Sequence, residues 1–429
     1  MLVVASIVAV AIVAVVILFY GYYVWLLATH PMPTAADEVH TVTTRDGWKI
    51  QLYRMKSKNV EGQPVFLCHS LVSNHLSFAV PEGEGIVHAL VKAGYDCWCI
   101  DLRGCRSAVP PRGAGKRGIS LDDYLLKDIP AAIEYIRRET GYNKVHWIGH
   151  SLGGMLLYAF DLTFGSACLA SGVAIGSPPS FKNIQYESPS TLLSINGFSP
   201  LLVNTSMKLI APFSSRLKPN LPVLPINWIN VHPKIGTTEL IHLVEPIPPQ
   251  VGIAMNQWAT GSPWVMSGGS LKVGERLDEV SVPLLTIYGG GDPFTPIGNA
   301  ELLLKRLKIS DKKMVVLSRA KGYSEDYSHM DLAFAKNGRI EVCQPIIDWL
   351  NAHATDEAHY YEEDAQQEGE SVVLDESPLP PEDSSAHRSP RAKSKSAARK
   401  PAVRRQATRK TPPSKKAAVK KPAARKKRT

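Results

Sequence analysis

The stretch Ile148-Gly149-His150-Ser151-Leu152-Gly153-Gly154 decides how the rest of the chain is read. It follows the apolar run Lys144 to Ile148, which predicts a short buried strand. It precedes Met155 to Phe160, which predicts a helix. A serine between two glycines at a strand-to-helix turn is the pattern G-x-S-x-G. Such a turn holds the serine in strained backbone geometry with Oγ exposed. Side chains at Gly149 and Gly153 would collide with the neighbouring strand and helix. The new helix also aims its first N–H groups and a partial positive charge at the serine. The alternative is a Gly/Ser-rich turn without chemistry, so the partners decide.

A serine hydroxyl is a weak nucleophile at neutral pH. It needs a histidine to take its proton and a carboxylate to orient that histidine. Behind a turn of this kind the chain order is Ser, acid, His. Asp292 follows the predicted strand Leu284 to Tyr288 and three glycines, and precedes Pro293-Phe294-Thr295-Pro296. His329 stands in Tyr327-Ser328-His329-Met330-Asp331, after the predicted strand Lys313 to Leu317 and before the predicted helix Arg339 to Leu350. Ser151, Asp292 and His329 are therefore the candidate catalytic residues. Against this, Asp292 could cap the helix near Pro296, and His329 could be an ordinary loop histidine. Glu325, Asp326 and Asp331 lie nearer His329 but come too late in the strand order. Acyl transfer also needs N–H donors for the developing oxyanion. Leu152, after the serine, supplies one. The second comes from the loop His69-Ser70-Leu71-Val72-Ser73 after the predicted strand Val65 to Cys68. Leu71 is the choice, with Ser70 beside it and His69 shaping the loop.

Outward from this centre, Val39 to Met55 alternates around Asp46-Gly47 and predicts a hairpin. Glu84 to Lys92 predicts a helix. Tyr95 to Ile100 predicts a strand that ends at Asp101-Leu102-Arg103-Gly104. Leu121 to Thr140 predicts an amphipathic helix capped by Ser120, and Gly172 to Gly176 a strand. Strands alternating with helices predict the α/β class: a mostly parallel sheet with helices on both faces. The alternation stops between Ser177 and Arg276, a region with 13 of the 32 prolines and with Trp228, Trp258 and Trp264. It reads as an inserted cap over the site, about 177–276, within a domain covering 36–355.

The formal net charge of +10 is unevenly spread. Segment 388–429 has 18 Lys/Arg and no Asp/Glu, whereas 356–383 has 11 Asp/Glu and no Lys/Arg. Neither the acidic stretch 356–387 nor the basic Lys/Arg/Ala/Pro-rich stretch 388–429 can bury a core, so both read as disordered. At the other end, Leu2 to Ala28 carries no charge and has Phe19, Tyr20, Tyr22, Tyr23 and Trp25 at its C-terminal side. It is long enough to cross a bilayer, lacks the positive start of a signal peptide, and reads as a single-pass anchor over 1–30. The six cysteines show no C-x-x-C pair or zinc-ligand spacing, so neither a metal nor a cofactor is implied. Scattered core cysteines and the basic tail point to a cytoplasmic body.

Gly149-His150-Ser151-Leu152-Gly153, Gly291-Asp292, His329 and Asp101-Leu102-Arg103-Gly104-Cys105-Arg106-Ser107 together resemble serine hydrolases of the α/β-hydrolase fold, from Val39 to about Leu350. Ala93-Gly94-Tyr95-Asp96-Cys97-Trp98 and Tyr327-Ser328-His329-Met330-Asp331-Leu332 are similar to the acid-lipase and esterase branch. Two positions depart from the family pattern. Ser70 stands where a glycine follows the oxyanion-loop histidine, and Arg106 replaces the second glycine of the Asp-Arg turn. The resemblance implies ester hydrolysis, and the apolar cap and the nearby membrane span point to substrates with apolar acyl groups. A serine nucleophile argues against epoxide hydrolase and dehalogenase chemistry, which use aspartate, and against the polyester synthases, which use cysteine. The rival reading is a membrane tether whose basic tail holds nucleic acid or anionic lipid non-specifically.

Overall fold

The computed structural model describes residues 2–33, 36–56, 62–180, 200–219 and 225–354. The acidic and basic segments 356–429 lie outside the described residues. In the central strands both alternating faces are apolar, which places them between two layers of helix. The strands are β1 (Glu38–Thr43), β2 (Lys49–Met55), β3 (Pro64–Cys68), β4 (Asp96–Asp101), β5 (Val145–His150), β6 (Leu169–Ile175), β7 (Leu284–Gly289) and β8 (Lys312–Leu317). They form one sheet in the order β1-β2-β4-β3-β5-β6-β7-β8. The β1–β2 and β2–β4 pairs are antiparallel and all the others parallel.

Among the described residues the helices of seven residues or more are α1 (Leu2–Thr29), α2 (Ile86–Lys92), α3 (121–140), α4 (Leu152–Phe164), α5 (Pro200–Leu217), α6 (Thr237–Leu243), α7 (Pro249–Ala259), α8 (Ile297–Arg306) and α9 (Gln344–Ala352). Phe66, Cys68, Trp98 and Trp147 face the layer containing α3 and α4. Val65, Leu67, Cys97, Cys99 and Ile148 face the layer containing α2 and α9. Cys97 and Cys99 share one face, as their spacing requires, and none of the six cysteines is in a disulfide.

Several boundaries differ from the sequence reading for identifiable reasons. Pro81 to Gly85 form a turn, so α2 starts at Ile86. In α3 the turn Tyr124–Asp128 is a π-helix, and Arg339–Cys343 ahead of α9 is another. Each is followed two residues later by a proline, Pro130 and Pro345. Proline has no N–H, and its ring strikes the carbonyl four residues back. A wider turn relieves that clash. Ser120 caps α3 through a reciprocal pair: its Oγ accepts from the Asp123 N–H, and the Asp123 carboxylate accepts from the Ser120 N–H.

Arg103, from the Asp-Arg turn, is buried. Its Nε donates to Asp128 Oδ1 on α3 at 2.7 Å, and its guanidinium donates to both oxygens of Asp46 in the β1–β2 turn. It therefore ties the end of β4 to a helix and to the hairpin. Burial pushes the Asp128 carboxyl up, to about 6, against the pull of Arg103. Arg103→Met should lower stability by about 3–4 kcal/mol, because it leaves a buried carboxylate without its partner. The check is urea denaturation followed by tryptophan fluorescence. The double variant with Asp128→Leu should be more stable than the single one.

Between β6 and β7 the described residues form α5, α6 and α7, and this inserted segment is bonded to the loops at the sheet's C-terminal edge. The Glu245 N–H donates to the Val72 carbonyl at 2.9 Å, and the His232 N–H to the Phe334 carbonyl at 3.0 Å. By length and composition α1 can cross a membrane, a property that signal sequences share. Its last turns are not free. Leu26 is fully buried in a cluster with Ala211 of α5 and Leu240 of α6.

Candidate active site

β5 ends at His150 and α4 begins at Leu152, which leaves Ser151 alone between them at φ 53 and ψ −111. That left-handed conformation is strained for any residue with a side chain. It is held by the Ser151 N–H, which donates to the Ile175 carbonyl of β6 at 2.8 Å. The two glycines have steric duties. A Cβ at Gly149 would lie 2.3 Å from the backbone of Gly153 and Gly154, and one at Gly153 would lie 2.0 Å from the Cys68 carbonyl oxygen.

His329 reaches the serine from the loop after β8, and Asp292 from the loop after β7. The Asp292 carboxylate can only accept, so His329 Nδ1–H donates to Asp292 Oδ2, at 2.8 Å. The free lone pair of Nε2 then accepts from the Ser151 hydroxyl at 2.9 Å. Asp292 is fixed in turn by the Phe294 N–H, which donates to its Oδ1 at 2.8 Å. The other acids near His329 are engaged elsewhere. Glu325 pairs with Arg319, Asp326 accepts from the Arg319 N–H, and Asp331 accepts from Asn227 and Asn230 of the inserted segment. The sequence reading brought these three residues together by chain order alone. It missed Gly176, whose absent side chain leaves room for the pair: a Cβ there would lie 3.4 Å from His329 Nδ1 and 3.5 Å from Asp292 Oδ2. The glycine that closes the predicted strand was the available signal.

Leu152 is the first residue of α4, so its N–H has no intrahelical acceptor. The close approach of Gly153 to the Cys68 carbonyl packs the start of α4 against the end of β3, from which the loop carrying Ser70 and Leu71 departs. His69 is buried and braces this loop: its Nδ1–H donates to the Ser70 carbonyl at 2.7 Å, and its Nε2 accepts from the Leu102 N–H at 3.3 Å. Burial lowers its pKa and keeps it neutral, despite nearby Asp101. His69, Asp101 and Cys105 bring a nitrogen, an oxygen and a sulfur within 4.8 Å of one another. They are poorly suited to a cation. Asp101 already accepts from the His75 N–H, His75 Nδ1–H and Ser107 hydroxyl, and burial pushes the Cys105 thiol well up.

Residues 63–190 match the family described as alpha/beta hydrolase fold. The chain is 30% identical over 164 residues to a probable lipase of Schizosaccharomyces pombe, a match covering 32% of this chain and 37% of that one. It is 35% identical over 131 residues to gastric triacylglycerol lipase of Bos taurus, covering 27% and 32%. The match to triacylglycerol lipase 2 of Arabidopsis thaliana is longer and weaker, 23% over 362 residues, covering 74% of this chain and 85% of the relative. The chain thus spans well under half the length of the first two of these relatives. Among solved structures, a thermophilic esterase from Thermogutta terrifontis superposes with a TM-score of 0.50 at 18% identity, over 74% of this chain and 100% of that chain. The chain has the α/β-hydrolase fold. Within that fold its two departures have local explanations. Arg106 pairs with Glu245 of the inserted segment at 3.3 Å, and Ser70 is not in the positive-φ backbone region that would call for glycine.

His150, the variable residue of the elbow, has a position that the sequence did not reveal. It is buried, its ring lies 5.2 Å from that of His329, and its Nε2–H donates to the His329 carbonyl at 3.1 Å. Burial, helped by the charge of His329, pushes its pKa down to about 3. It is therefore neutral at neutral pH. His150→Leu removes the donor and frees the His329 loop, so ester turnover should fall about 10- to 100-fold. It should also change acid stability. The unfolded imidazole takes up a proton below about 6.5 that the folded one refuses until about 3, so wild-type stability falls as pH drops through that window. Urea midpoints at neutral pH and near pH 5 should differ less in the variant than in wild type. Parallel pH dependence would remove His150 as the cause.

Proposed function

We propose that this α/β-hydrolase-fold protein is a membrane-anchored serine hydrolase that cleaves carboxylic esters with apolar acyl groups. Ser151 Oγ attacks the ester carbonyl while His329 Nε2 takes its proton. The resulting imidazolium is held and oriented by Asp292. The N–H groups of Leu152 and Leu71 receive the oxyanion. The imidazolium then protonates the departing alkoxide, leaving an acyl-enzyme, and water activated by His329 releases the acid and restores Ser151. The observation that carries this reading is the unbroken hydrogen-bonded chain Ser151–His329–Asp292, at 2.9 Å and 2.8 Å. Two of the relatives are named triacylglycerol lipases, so glycerol esters are the first substrates to try. The anchor is α1, whose length and composition suit a bilayer and whose start carries no Lys or Arg.

The test is labelling of the purified chain with a fluorophosphonate, wild type beside Ser151→Ala. Labelling of the wild type alone is the expected result. A folded wild type that stays unlabelled would sink the hydrolase reading and favour the rival one, a tether that acts through the basic segment 388–429 and its 18 Lys/Arg.

A further inference from the structure

The end of α1 that packs on the protein is also the end that carries its aromatic residues. Phe19, Tyr20 and Trp25 are 57%, 68% and 55% exposed, and Tyr22 stacks on Trp25 with centroids 5.8 Å apart. On a membrane-crossing helix such residues collect at the headgroup level. The residues from Leu2 to Phe19 rise about 27 Å, close to the roughly 30 Å hydrocarbon core. Just beyond that level Leu26 is buried against α5 and α6, and His242 Nε2–H of α6 donates to the His30 carbonyl at 2.8 Å. The inserted segment is thereby held at headgroup height.

α5 meets this level with an unexpected outer face. Its inner face is Asn204, Lys208, Ala211 and Ser214, all buried. Its outer face carries Ile210, Phe213 and Leu217, spaced i, i+3, i+7 and exposed by 47%, 58% and 75%. Arg216 and Lys218 stand exposed beside them. An apolar stripe flanked by cations is stable at a lipid interface, where the stripe enters the acyl boundary and the cations meet phosphates. We propose that the outer face of α5 lies in the headgroup region of the bilayer that α1 crosses. The occupant is fixed by continuity: the stripe belongs to the helix against which the aromatic end of α1 packs. The inference rests on the membrane-anchor reading above.

The test uses the full chain reconstituted into phosphatidylcholine–phosphatidylserine vesicles. An environment-sensitive nitrobenzoxadiazole label is placed at Phe213→Cys, or at Leu302→Cys on α8 as the distant exposed control, both in a Cys168→Ser background. Nitroxide-bearing lipids should quench the label at 213 more strongly than that at 302, with a blue shift only at 213. Equal quenching in protein that resists carbonate extraction overturns the α5 proposal alone. Protein extracted by carbonate overturns the anchor reading and this proposal together. Energy transfer between 213-labelled copies without lipid quenching assigns the stripe to a second copy and also overturns it. In a second variant, Ile210, Phe213 and Leu217 are all changed to serine. Turnover of a long-chain ester presented in vesicles should fall about tenfold while that of a water-soluble short-chain ester holds, since interfacial binding scales with buried apolar area. Equal loss on both substrates would count against the membrane role.

Discussion

Ser151→Ala should leave a folded protein whose turnover of a short-chain nitrophenyl ester is lower by about 10⁴- to 10⁶-fold. The change deletes one oxygen. The Ser151 N–H still donates to the Ile175 carbonyl, and alanine meets the same backbone strain at φ 53. The thermal midpoint should therefore stay close to that of wild type. His329 keeps its bond to Asp292 but has no hydroxyl to deprotonate. Any catalysis that persists comes from water placed by the remaining donors. Turnover within about tenfold of wild type, in protein that melts normally, would take Ser151 out of the reaction.

The centre of the site was legible because its chemistry is tied to chain order. A strand, a glycine, a serine and a helix can be read in one line, and Asp292 and His329 each follow a later strand. A parallel sheet delivers the ends of such strands to one edge, so separation along the chain becomes proximity in space. The parts that were not legible depend on contacts between segments with no shared pattern. Nothing in the sequence pairs Arg106 with Glu245, or Asp331 with Asn230, because both bonds cross from the sheet's loops to the inserted segment. His150 looked like a filler residue of the motif, since its bond to the His329 carbonyl spans 179 positions. The π-turns were legible in principle: Pro130 and Pro345 stand inside helical patterns, and each stands two residues beyond the end of a π-turn. The burial of Leu26 was hidden for a different reason. In a run as apolar as Leu2 to Ala28, composition does not distinguish a residue facing lipid from one facing protein.

Gly153→Ala should be severely damaging, lowering stability by at least about 5 kcal/mol, a loss reserved for direct backbone collisions and comparable defects. The added Cβ would lie 2.0 Å from the Cys68 carbonyl oxygen and 2.7 Å from its carbon. Neither side can yield. Cys68 ends β3, which is paired on one edge with β4 and on the other with β5, and Gly153 sits in the first turn of α4, whose start is fixed by Ser151. Relief requires either breaking the β3–β5 ladder or tilting α4 off the sheet, which would also move Oγ away from His329. Urea unfolding and fluorophosphonate labelling should therefore fail together. Gly298→Ala makes the same chemical change in the opposite setting. Gly298 lies in the first turn of α8, and its Cβ would meet nothing within 4 Å. Alanine there should raise stability by about 0.5–1 kcal/mol, through helix propensity and a less flexible unfolded chain. Opposite signs from one methyl group would show that the elbow glycine is required by the neighbouring strand and not by local flexibility. A Gly153→Ala protein as stable as wild type would mean that β3 and α4 can separate, and the tight turn would lose its steric reason for holding Ser151 where it is.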